Sequence, residues 1–443
     1  MAHFLIKGFG GKRMLSGKVA VFGAKNAVLK GIAASILFRT PLTLTNVPEI
    51  EDVSRMIEIV RAMGARVTTK KHEVLIDATG KISSTITPDI AKRLRASIVL
   101  TGPLLARNGK VRFPHPGGCV IGERPIDLFI EGFEKMGAEV KHIGKFYHIR
   151  APKTGLHGAE IFFRLQSVTG TETVMMAATL AKGKTVIKNA AMEPEIVWLA
   201  DLLNASGAKV SGAGTPTITI VGLNPSKTTD RPTREAGLGG NMLSQKKSCR
   251  VVPDRIEAGS FLLLGALAAK KLVVEHIVPE HLESLIELLE YAGTKVVRGK
   301  NSLTVSAPKK GTQLFPVNIR THEYPGFPTD LQAPMMIYLT QTKGKSHVFE
   351  TIFEGRLSYI ESLNRMGANI TMMDPHRVLV GGPTILSGKV LESPDLRAGL
   401  AFVIAAIIAE DTSEIHNIYN IDRGYEHIEK RLQKIGVNIV RVE

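Results

Sequence analysis

A short loop rich in glycine and proline carries the chain's most reactive type of side chain. Residues 116–128 have the sequence PGGCVIGERPIDL, which places the Cys119 thiol near Arg124 and near the start of a helical pattern. A neighbouring cation and the N-terminus of a helix both favour the thiolate, the nucleophilic form of cysteine. The pattern predicts a reactive thiol, and a buried small hydrophobic residue in a turn is the structural alternative.

Two aspartates in the last third of the chain each follow a proline-containing turn and precede an apolar stretch. Asp330 ends the segment FPTD, and Asp395 lies in the segment PDLR. A carboxylate in such a place can act as a general acid or base. It can equally be an ordinary N-cap of the helix that follows. The residues alone leave both interpretations open.

Cations recur at corresponding turns between a strand and a helix. Lys25 follows Gly23 and precedes an apolar helical stretch, where free backbone N–H groups and one lysine make a small anion site. Arg124, Arg356 and Arg423 occupy the equivalent turns of later segments. Polar residues that recur at the same corner of several segments predict a shared cleft.

The elements that must position these residues repeat six times. Six amphipathic, helical stretches each end in a similar five-residue segment, and the glycines of these segments are 73, 70, 86, 74 and 69 residues apart. Because glycine adopts the left-handed conformation at little cost, each glycine predicts the end of a helix. The glycines are Gly64, Gly137, Gly207, Gly293, Gly367 and Gly436.

Short β-branched segments precede these helices and follow the glycines, so each unit is a strand, a helix and a further strand. A chain of 443 residues exceeds the usual size of one core, and six units divide most simply into two domains of three. The sequence therefore predicts an α/β protein. Helices that are apolar on nearly every side, such as residues 400–409, are expected at the centre of a domain.

The composition is globular, with a net charge of +16 that favours anionic partners such as nucleic acid, membrane surfaces or phosphorylated small molecules. The basic residues are spread along the chain and only 5% of residues are aromatic, which argues against nucleic acid. No apolar run is long enough to cross a bilayer, and the first residues lack the apolar block of a signal peptide. We therefore expect a cytoplasmic protein without a disulfide framework.

The long 86-residue step contains a polar, basic stretch between Val221 and Val252, in which Cys249 lies. Its content of Pro, Gly, Ser and Thr predicts an exposed loop or an interdomain crossover.

Eight motifs together resemble the UDP-N-acetylglucosamine 1-carboxyvinyltransferase family, in the family's order from about Phe4 to the C-terminus. They are GAKN at 23–26, RAS at 95–97, PGGC at 116–119 with Arg124-Pro125, EPEI at 193–196, PDRIE at 253–257, FPTD at 327–330, DLR at 395–397 and DRGYE at 422–426. The resemblance implies an inside-out α/β barrel in which two three-unit domains close around the substrates. It also implies transfer of the enolpyruvyl group of phosphoenolpyruvate to the 3-hydroxyl of UDP-N-acetylglucosamine, with release of phosphate, as the first committed step of peptidoglycan synthesis.

The resemblance further implies roles for individual residues. Asp330 would be the base for the sugar 3-hydroxyl, and Asp395 would be a partner acid. Cys119 would act at the enolpyruvyl carbon and in product release, and it would be the thiol that fosfomycin alkylates. Lys25 would be a catalytic cation. The phosphoenolpyruvate-binding residues would be Lys25, Asn26, Arg124, Arg397 and Arg423. The UDP-sugar-binding residues would be Asn26, Arg95, Arg124, Pro125, Ile126, Asp127, Leu128, Ser167, Val168, Asp330 and Ile352.

The implied domains are a discontinuous one, 1–24 with 253–443, which carries Asp330, Asp395, Arg397 and Arg423, and an inserted one, 25–252, which carries the Cys119 loop and the UDP-sugar contacts. The chemistry agrees with these residue types. Adding an alcohol to C2 of an enol phosphate requires protonation at C3 and builds positive charge at C2, which carboxylates stabilise. Cations then assist the leaving phosphate. No metal or other cofactor is expected.

Two segments depart from the family pattern. Residues 166–172, QSVTGTE, differ from the usual Ser-Val-Gly-Ala-Thr form, and residues 223–250 are longer and more basic than expected. One alternative within the fold is a transferase like 5-enolpyruvylshikimate-3-phosphate synthase, which adds the same group to a different alcohol. Cys119 and the Lys25-Asn26 pair favour the UDP-sugar enzyme. The alternative from another class is a polyanion-binding protein that uses the positive charge.

Overall fold

The computed structural model describes residues 2–115, 126–223, 242–309 and 311–443, and these residues form two compact units. Unit 1 contains the described residues of 1–22 and 253–443, and unit 2 contains those of 23–252 outside residues 118–123. Unit 2 thus begins two residues before the boundary expected at 24/25. Gly23 N–H donates to the Asn46 carbonyl and Ala24 N–H to the Val252 carbonyl, and both acceptors belong to unit 2.

Each unit contains three sheets. Strands are given in the order in which neighbours pair. The first sheet of unit 2 consists of β13 (Cys249–Arg250), β3 (Leu42–Thr45), β5 (Glu73–Asp77) and β4 (Arg66–Lys70), and the second consists of β9 (Glu160–Phe162), β10 (Lys184–Lys188), β12 (Thr217–Val221) and β11 (Lys209–Ser211). The third consists of β6 (Lys110–Pro114), β8 (Phe146–Arg150) and β7 (Glu139–Ile143). The first sheet of unit 1 consists of β2 (Leu15–Ala20), β14 (Ala269–Glu275), β16 (Ser302–Val305) and β15 (Val296–Arg298). The second consists of β17 (Ile319–Arg320), β18 (Gly344–Phe349), β20 (Arg377–Gly382) and β19 (Asn369–Asp374). The third consists of β21 (Val390–Glu392), β22 (Thr412–His416), β1 (His3–Lys7) and β23 (Asn438–Val442).

All six sheets share one pairing pattern. In five of them the first strand pairs in parallel with the second, and the remaining pairs are antiparallel. In the sixth, β6–β8–β7, a single parallel bridge between Thr85 and Arg112 takes the place of the first strand. The predicted sixfold repeat is therefore present as six sheets of one topology, three in each unit.

The helices fall into an inner and an outer set. The inner helices of unit 2 are α1 (Lys25–Ala34), α4 (Thr101–Asn108) and α6 (Val168–Thr179), and those of unit 1 are α8 (Arg255–Ala268), α10 (Gln332–Leu339) and α12 (Leu396–Ile408). The outer helices are α2 (Glu51–Ala62), α5 (Asp127–Lys135), α7 (Pro194–Ala205), α9 (Glu283–Tyr291), α11 (Ile360–Arg365) and α14 (Ile428–Lys434), and α3 (Pro88–Arg93) and α13 (Tyr419–Asp422) are short.

The sequence explains which helices lie inside. Every residue of α10 and of α12 is buried, as their almost uniformly apolar sequences predict. In α2, by contrast, the buried apolar residues Val53, Met56, Ile57 and Val60 recur at a helical spacing on one face. Each fully buried leucine or isoleucine contributes about 1.5–3 kcal/mol to folding. The inner helices therefore form the core of their unit, and the sheets and outer helices cover them.

The six predicted helix-ending glycines are confirmed, because each follows an outer helix and has a φ between 90° and 114°. The last sheet is completed from the other end of the chain. Strand β1 pairs antiparallel with β22, where Phe4 is opposite Ile415, and with β23, where Phe4 is opposite Arg441. This strand takes the place that β20 has in its own sheet.

The described part of the polar stretch, 242–252, is only partly exposed: the expectation of an exposed loop is wrong for Leu243 and Val251, which are buried, whereas Lys246, Lys247 and Ser248 are exposed as expected. Leu243 is buried and forms a parallel bridge with Phe38, and β13 extends the sheet of β3. The Gln245 side chain accepts from the Thr43 N–H at 2.6 Å and donates to the Thr43 carbonyl at 2.9 Å. Residues 224–241 lie outside the described residues. Among the described residues, no helix combines the length and apolar character needed to cross a membrane.

Two of the helix-ending glycines in unit 2 form a matched pair. Gly64 has φ 114° and a Cβ there would lie 2.6 Å from the Lys81 carbonyl oxygen, whereas Gly207 has φ 108° and a Cβ would meet nothing within 4 Å. We expect Gly207→Ala to cost about 1–2 kcal/mol of unfolding free energy, the strain of the left-handed conformation alone. Gly64→Ala should cost about 1 kcal/mol or more beyond that, because the carbonyl must move.

Urea unfolding followed by the fluorescence of Trp198, the single tryptophan and a residue of unit 2, measures both variants. Equal losses would contradict the contribution of the Lys81 contact.

Candidate active site

Asp330 lies in a 3-10 turn, Thr329–Leu331, directly before the inner helix α10 of unit 1. One carboxylate oxygen accepts from Arg356 Nη2 at 3.1 Å and the other from Arg397 Nη2 at 2.9 Å. The two arginine side chains are each 5% exposed and that of Asp330 is 24% exposed. Two charge-assisted hydrogen bonds fix the orientation of the carboxylate, which remains accessible.

The N-cap interpretation is wrong for Asp330 and right for Asp395. The residue at the N-cap of the 3-10 turn is Pro328, and Asp330 lies inside the turn. Asp395, in contrast, is the N-cap of α12, where its Oδ1 accepts from the N–H groups of Arg397 and Ala398 at 2.8 and 3.1 Å. The N-cap bonds of Asp395 satisfy backbone donors that the first turn of a helix leaves open.

The turn of Asp330 is tied to the loop that carries Ile352. Arg356 Nη1 donates to the Thr329 carbonyl at 2.9 Å, and Thr329 Oγ1 donates to Glu350 Oε2 at 2.9 Å. The other oxygen of the buried Glu350 accepts from the N–H groups of Ile352 and Phe353 at 2.9 and 3.1 Å. Glu350, which no sequence motif indicated, thus joins two segments that both contain predicted site residues.

Arg397 is the second residue of α12 and is buried. Burial alone would lower its pKa, but the Asp330 carboxylate and the Tyr425 hydroxyl raise it by more, so the net shift is upward. Its Nη1 donates to Tyr425 Oη at 2.8 Å. Burial raises the pKa of Tyr425, which keeps the phenol protonated at neutral pH. Tyr425 was missed as a site residue, although it lies in the motif DRGYE, two residues after Arg423, the C-cap residue of α13.

In unit 2, Lys25 and Asn26 are the first two residues of the inner helix α1. The predicted position of this lysine at a helix start is confirmed. Its Nζ lies 3.1 Å from Asp52 Oδ2, in the first turn of α2. This acidic partner was not predicted, and the pair holds the ammonium group beside the N-terminus of α1.

Other predicted residues of unit 2 also lie at the starts of helices. Ser167 is the N-cap of α6, with Oγ accepting from Gly170 N–H at 3.0 Å, and Val168 is the first helical residue. The segment 166–172, which departs from the family pattern, therefore spans the N-cap and the first turns of α6. Arg95 begins a 3-10 turn, Arg95–Leu100, that leads into α4.

Asp127 begins α5 and accepts from Leu128 N–H at 2.9 Å, and Ile126 is the N-cap residue of the same helix. Asp127 also pairs with Arg164, which in turn contacts Glu131 at 2.7 Å. Arg164 is a partner that the sequence did not indicate.

Three predicted site residues, Cys119, Arg124 and Pro125, lie outside the described residues. The described cysteine, Cys249, is half-buried. Burial raises the pKa of its thiol, and the negative charge of Asp201 raises it further. At neutral pH the Cys249 thiol is therefore protonated and weakly nucleophilic.

Comparison with known proteins agrees with the motifs. A family model described as EPSP synthase (3-phosphoshikimate 1-carboxyvinyltransferase) matches residues 10–432. The UDP-N-acetylglucosamine 1-carboxyvinyltransferase of Desulfatibacillum aliphaticivorans is 42% identical over 436 residues, which cover 98% of each chain. The UDP-N-acetylglucosamine 1-carboxyvinyltransferase 2 of Carboxydothermus hydrogenoformans is 42% identical over 444 residues, which cover 100% of each.

Solved structures show the fold. The enolpyruvyl transferase NikO from Streptomyces tendae has a TM-score of 0.84 and 21% identity, and the match covers 100% of this chain and 99% of that one. An EPSP synthase from Acinetobacter baumannii has a TM-score of 0.71 and 19% identity, with 100% of both chains covered. The predicted α/β fold of the enolpyruvyl transferases is thus confirmed.

The hydrogen bond between Arg397 and Tyr425 gives a prediction about stability. Tyr425→Phe leaves a buried guanidinium N–H without its acceptor, so we expect a loss of about 1–3 kcal/mol. For a unit of this size the loss corresponds to a fall in melting temperature of about 2–12 °C. Tyr419→Phe is the matched control, because Tyr419 is 47% exposed and its change should shift the melting temperature by about 1 °C or less. Calorimetry measures both, and equal melting temperatures would contradict a role for the Tyr425 hydroxyl.

Proposed function

Because the chain belongs to the enolpyruvyl transferase family, on the branch of the UDP-N-acetylglucosamine 1-carboxyvinyltransferases, we propose that it transfers the enolpyruvyl group of phosphoenolpyruvate to the 3-hydroxyl of UDP-N-acetylglucosamine. Phosphate is the second product. The structural observation that supports this proposal best is the Asp330 carboxylate, which two buried arginines orient at the start of α10 while it remains accessible.

We assign to Asp330 the role of base for the sugar 3-hydroxyl. A general base must present an oxygen within hydrogen-bond reach of the proton that it accepts. Arg356 and Arg397 hold the two oxygens of Asp330 in place, so that the carboxylate does not need to reorient when a hydroxyl arrives. Such preorganisation lowers the cost of reaching the reactive geometry.

The assigned cations suit anionic substrates. Phosphoenolpyruvate carries a phosphate and a carboxylate, and the UDP-sugar carries a diphosphate. We assign Lys25, Asn26, Arg124, Arg397 and Arg423 to phosphoenolpyruvate. The helices that start at Lys25 and Val168 add the positive end of a helix dipole, which favours bound anions.

For the remaining steps we keep the roles that the family resemblance implies. Protonation of C3 and attack of the sugar oxygen at C2 give a tetrahedral ketal, and loss of phosphate from C2 together with a proton from C3 re-forms the C2–C3 double bond as an enol ether of the sugar. Asp395 is proposed as the partner acid, although its Oδ1 is engaged in capping α12. Cys119 is proposed to act at the enolpyruvyl carbon and in product release. The proposed UDP-sugar contacts are Asn26, Arg95, Arg124, Pro125, Ile126, Asp127, Leu128, Ser167, Val168, Asp330 and Ile352.

A second candidate is the transfer to shikimate 3-phosphate, which the description of the matching family model names. The full-length identity of 42% to UDP-N-acetylglucosamine enzymes weighs against it. The two candidates differ only in the acceptor alcohol, so the acceptor is what the experiment must vary.

We expect phosphate release when the protein is mixed with phosphoenolpyruvate and UDP-N-acetylglucosamine. Replacing the sugar nucleotide with shikimate 3-phosphate should reduce the rate by about 1000-fold or more, because a site built for one polar acceptor leaves its groups unpaired with another. Phosphate release measured with each acceptor tests this expectation. The reverse preference would identify the shikimate enzyme, and no release with either acceptor would contradict both transferase proposals.

The assignment of Asp330 gives a second kinetic prediction. Asp330→Asn keeps the shape of the side chain but not its ability to accept a proton, so kcat should fall by about 100-fold or more. Binding of UDP-N-acetylglucosamine, measured by calorimetry, should weaken by about tenfold or less, because only one hydrogen bond to the ligand changes.

Glu283→Gln is the matched control in the same unit. Like Asp330, Glu283 accepts from two guanidinium nitrogens, which here both belong to Arg298 and lie at 2.5 and 2.7 Å. The kcat of this variant should remain within about twofold of the wild-type value, as expected for an exposed ion pair. If Asp330→Asn retains more than about a tenth of the wild-type kcat, Asp330 is not the base.

A further inference from the structure

A buried ion pair in unit 2 lies outside the residues assigned so far. Lys30 of α1 and Glu172 of α6 bring Nζ and Oε2 to 3.0 Å, and their side chains are 8% and 0% exposed. Within the described residues, neither oxygen of Glu172 makes a well-oriented hydrogen bond. Removing two charges from water is costly, and an apolar pair of similar volume is often as stable or more stable. The pair therefore calls for an explanation other than stability.

The second contact of Lys30 suggests that explanation. Its Nζ also donates to the carbonyl of Asn26, one helical turn earlier, at 2.9 Å. Asn26 is a proposed contact of both substrates, and Lys25 precedes it. On the other side of the pair, Glu172 lies in α6 a little more than one turn after Ser167, the N-cap and a proposed UDP-sugar contact. The Lys30 ammonium group thus contacts Asn26 in the first turn of α1 and Glu172 near the start of α6.

We propose that Lys30 and Glu172 are positioning residues that fix Asn26 relative to Ser167 and thereby set the affinity for the sugar nucleotide. This proposal rests on the proposed function, since it takes the UDP-sugar as the ligand of these two helix starts. Neither residue contacts the substrate. Lys30 acts through the Asn26 carbonyl, and Glu172 acts by holding the Lys30 ammonium group in place.

The charge of Glu172 makes this arrangement dependent on pH. Burial raises the pKa of Glu172 to about 7, against the lowering effect of Lys30, and the nearby Glu193 and Glu195 at the start of α7 raise it further. Above this pKa the ionised carboxylate attracts Lys30, and below it the protonated carboxyl attracts Lys30 less. The folded pKa lies above the usual value, so the stability that protonated Glu172 contributes is lost as the pH rises through about 7. Ionisation of Glu172 thus has two effects: it strengthens the attraction to Lys30, and it lowers the free energy of unfolding because the charge is buried.

The experiment compares the binding of UDP-N-acetylglucosamine to the wild type and to Glu172→Gln by calorimetry at pH 6, 7 and 8. We expect the variant to bind about five- to tenfold more weakly at pH 8 and within about twofold at pH 6, where Glu172 is neutral in the wild type as well. The KM for the sugar nucleotide should follow the same pattern, while kcat changes by about twofold or less.

A double variant separates positioning from packing. Lys30→Met with Glu172→Leu replaces the ion pair with apolar side chains, so its unfolding free energy should equal or exceed that of the wild type. The double variant lacks the ammonium contact with the Asn26 carbonyl, so at pH 8 it should bind the sugar nucleotide more weakly than the wild type, as Glu172→Gln does. Wild-type affinity in the double variant, or in Glu172→Gln at pH 8, would overturn the proposal. A wild type that does not bind the sugar nucleotide would instead show that the proposed function is wrong.

Discussion

The burial of the inner helices is the constraint on which the rest of the structure depends. Every residue of α12 is buried, so charged groups at this helix can be accommodated only near its end, where Asp395 caps the backbone and Arg397 finds a carboxylate. The same rule applies to the turn of Asp330 before α10 and to Lys25 at the start of α1. An apolar core thus concentrates the polar chemistry of each unit at the N-terminal ends of its helices, where open backbone N–H groups already favour anions.

The sequence predicted those parts of the molecule that depend on local patterns. The glycine stops and the apolar helices follow from the conformational freedom of single residues and from helical periodicity, so they could be found without knowing any distant contact. The partners of the site residues could not be found in this way. Arg356 and Arg397 are 26 and 67 residues from Asp330, and nothing local indicates that they share its carboxylate. The roles of the site residues were available only through the family resemblance.

Composition was a poor guide to part of the segment 242–252. Its polar residues suggested exposure, yet Gln245 and β13 satisfy the backbone of the neighbouring strand β3, a role that depends on pairing and not on hydropathy. A related arrangement stabilises the last residues of the N-terminal segment of unit 1. Arg431 pairs with the buried Glu257, donates to the Ala20 carbonyl at 2.6 Å and lies over the rings of Phe22 and Phe261. Arg431 is thus a structural cation, engaged by protein groups and not available to ligands.

The pairing of β1 with β22 and β23 has a consequence for the order in which the chain can fold during translation. The partners of Phe4 are Ile415 and Arg441, so the sheet that contains them cannot form until nearly the whole polypeptide has left the ribosome. Unit 2 lies between these segments and takes its strands from residues 42–250, so all of its sheets can form earlier. The inserted unit is therefore free to fold as a nascent domain, while β1 waits for its partners.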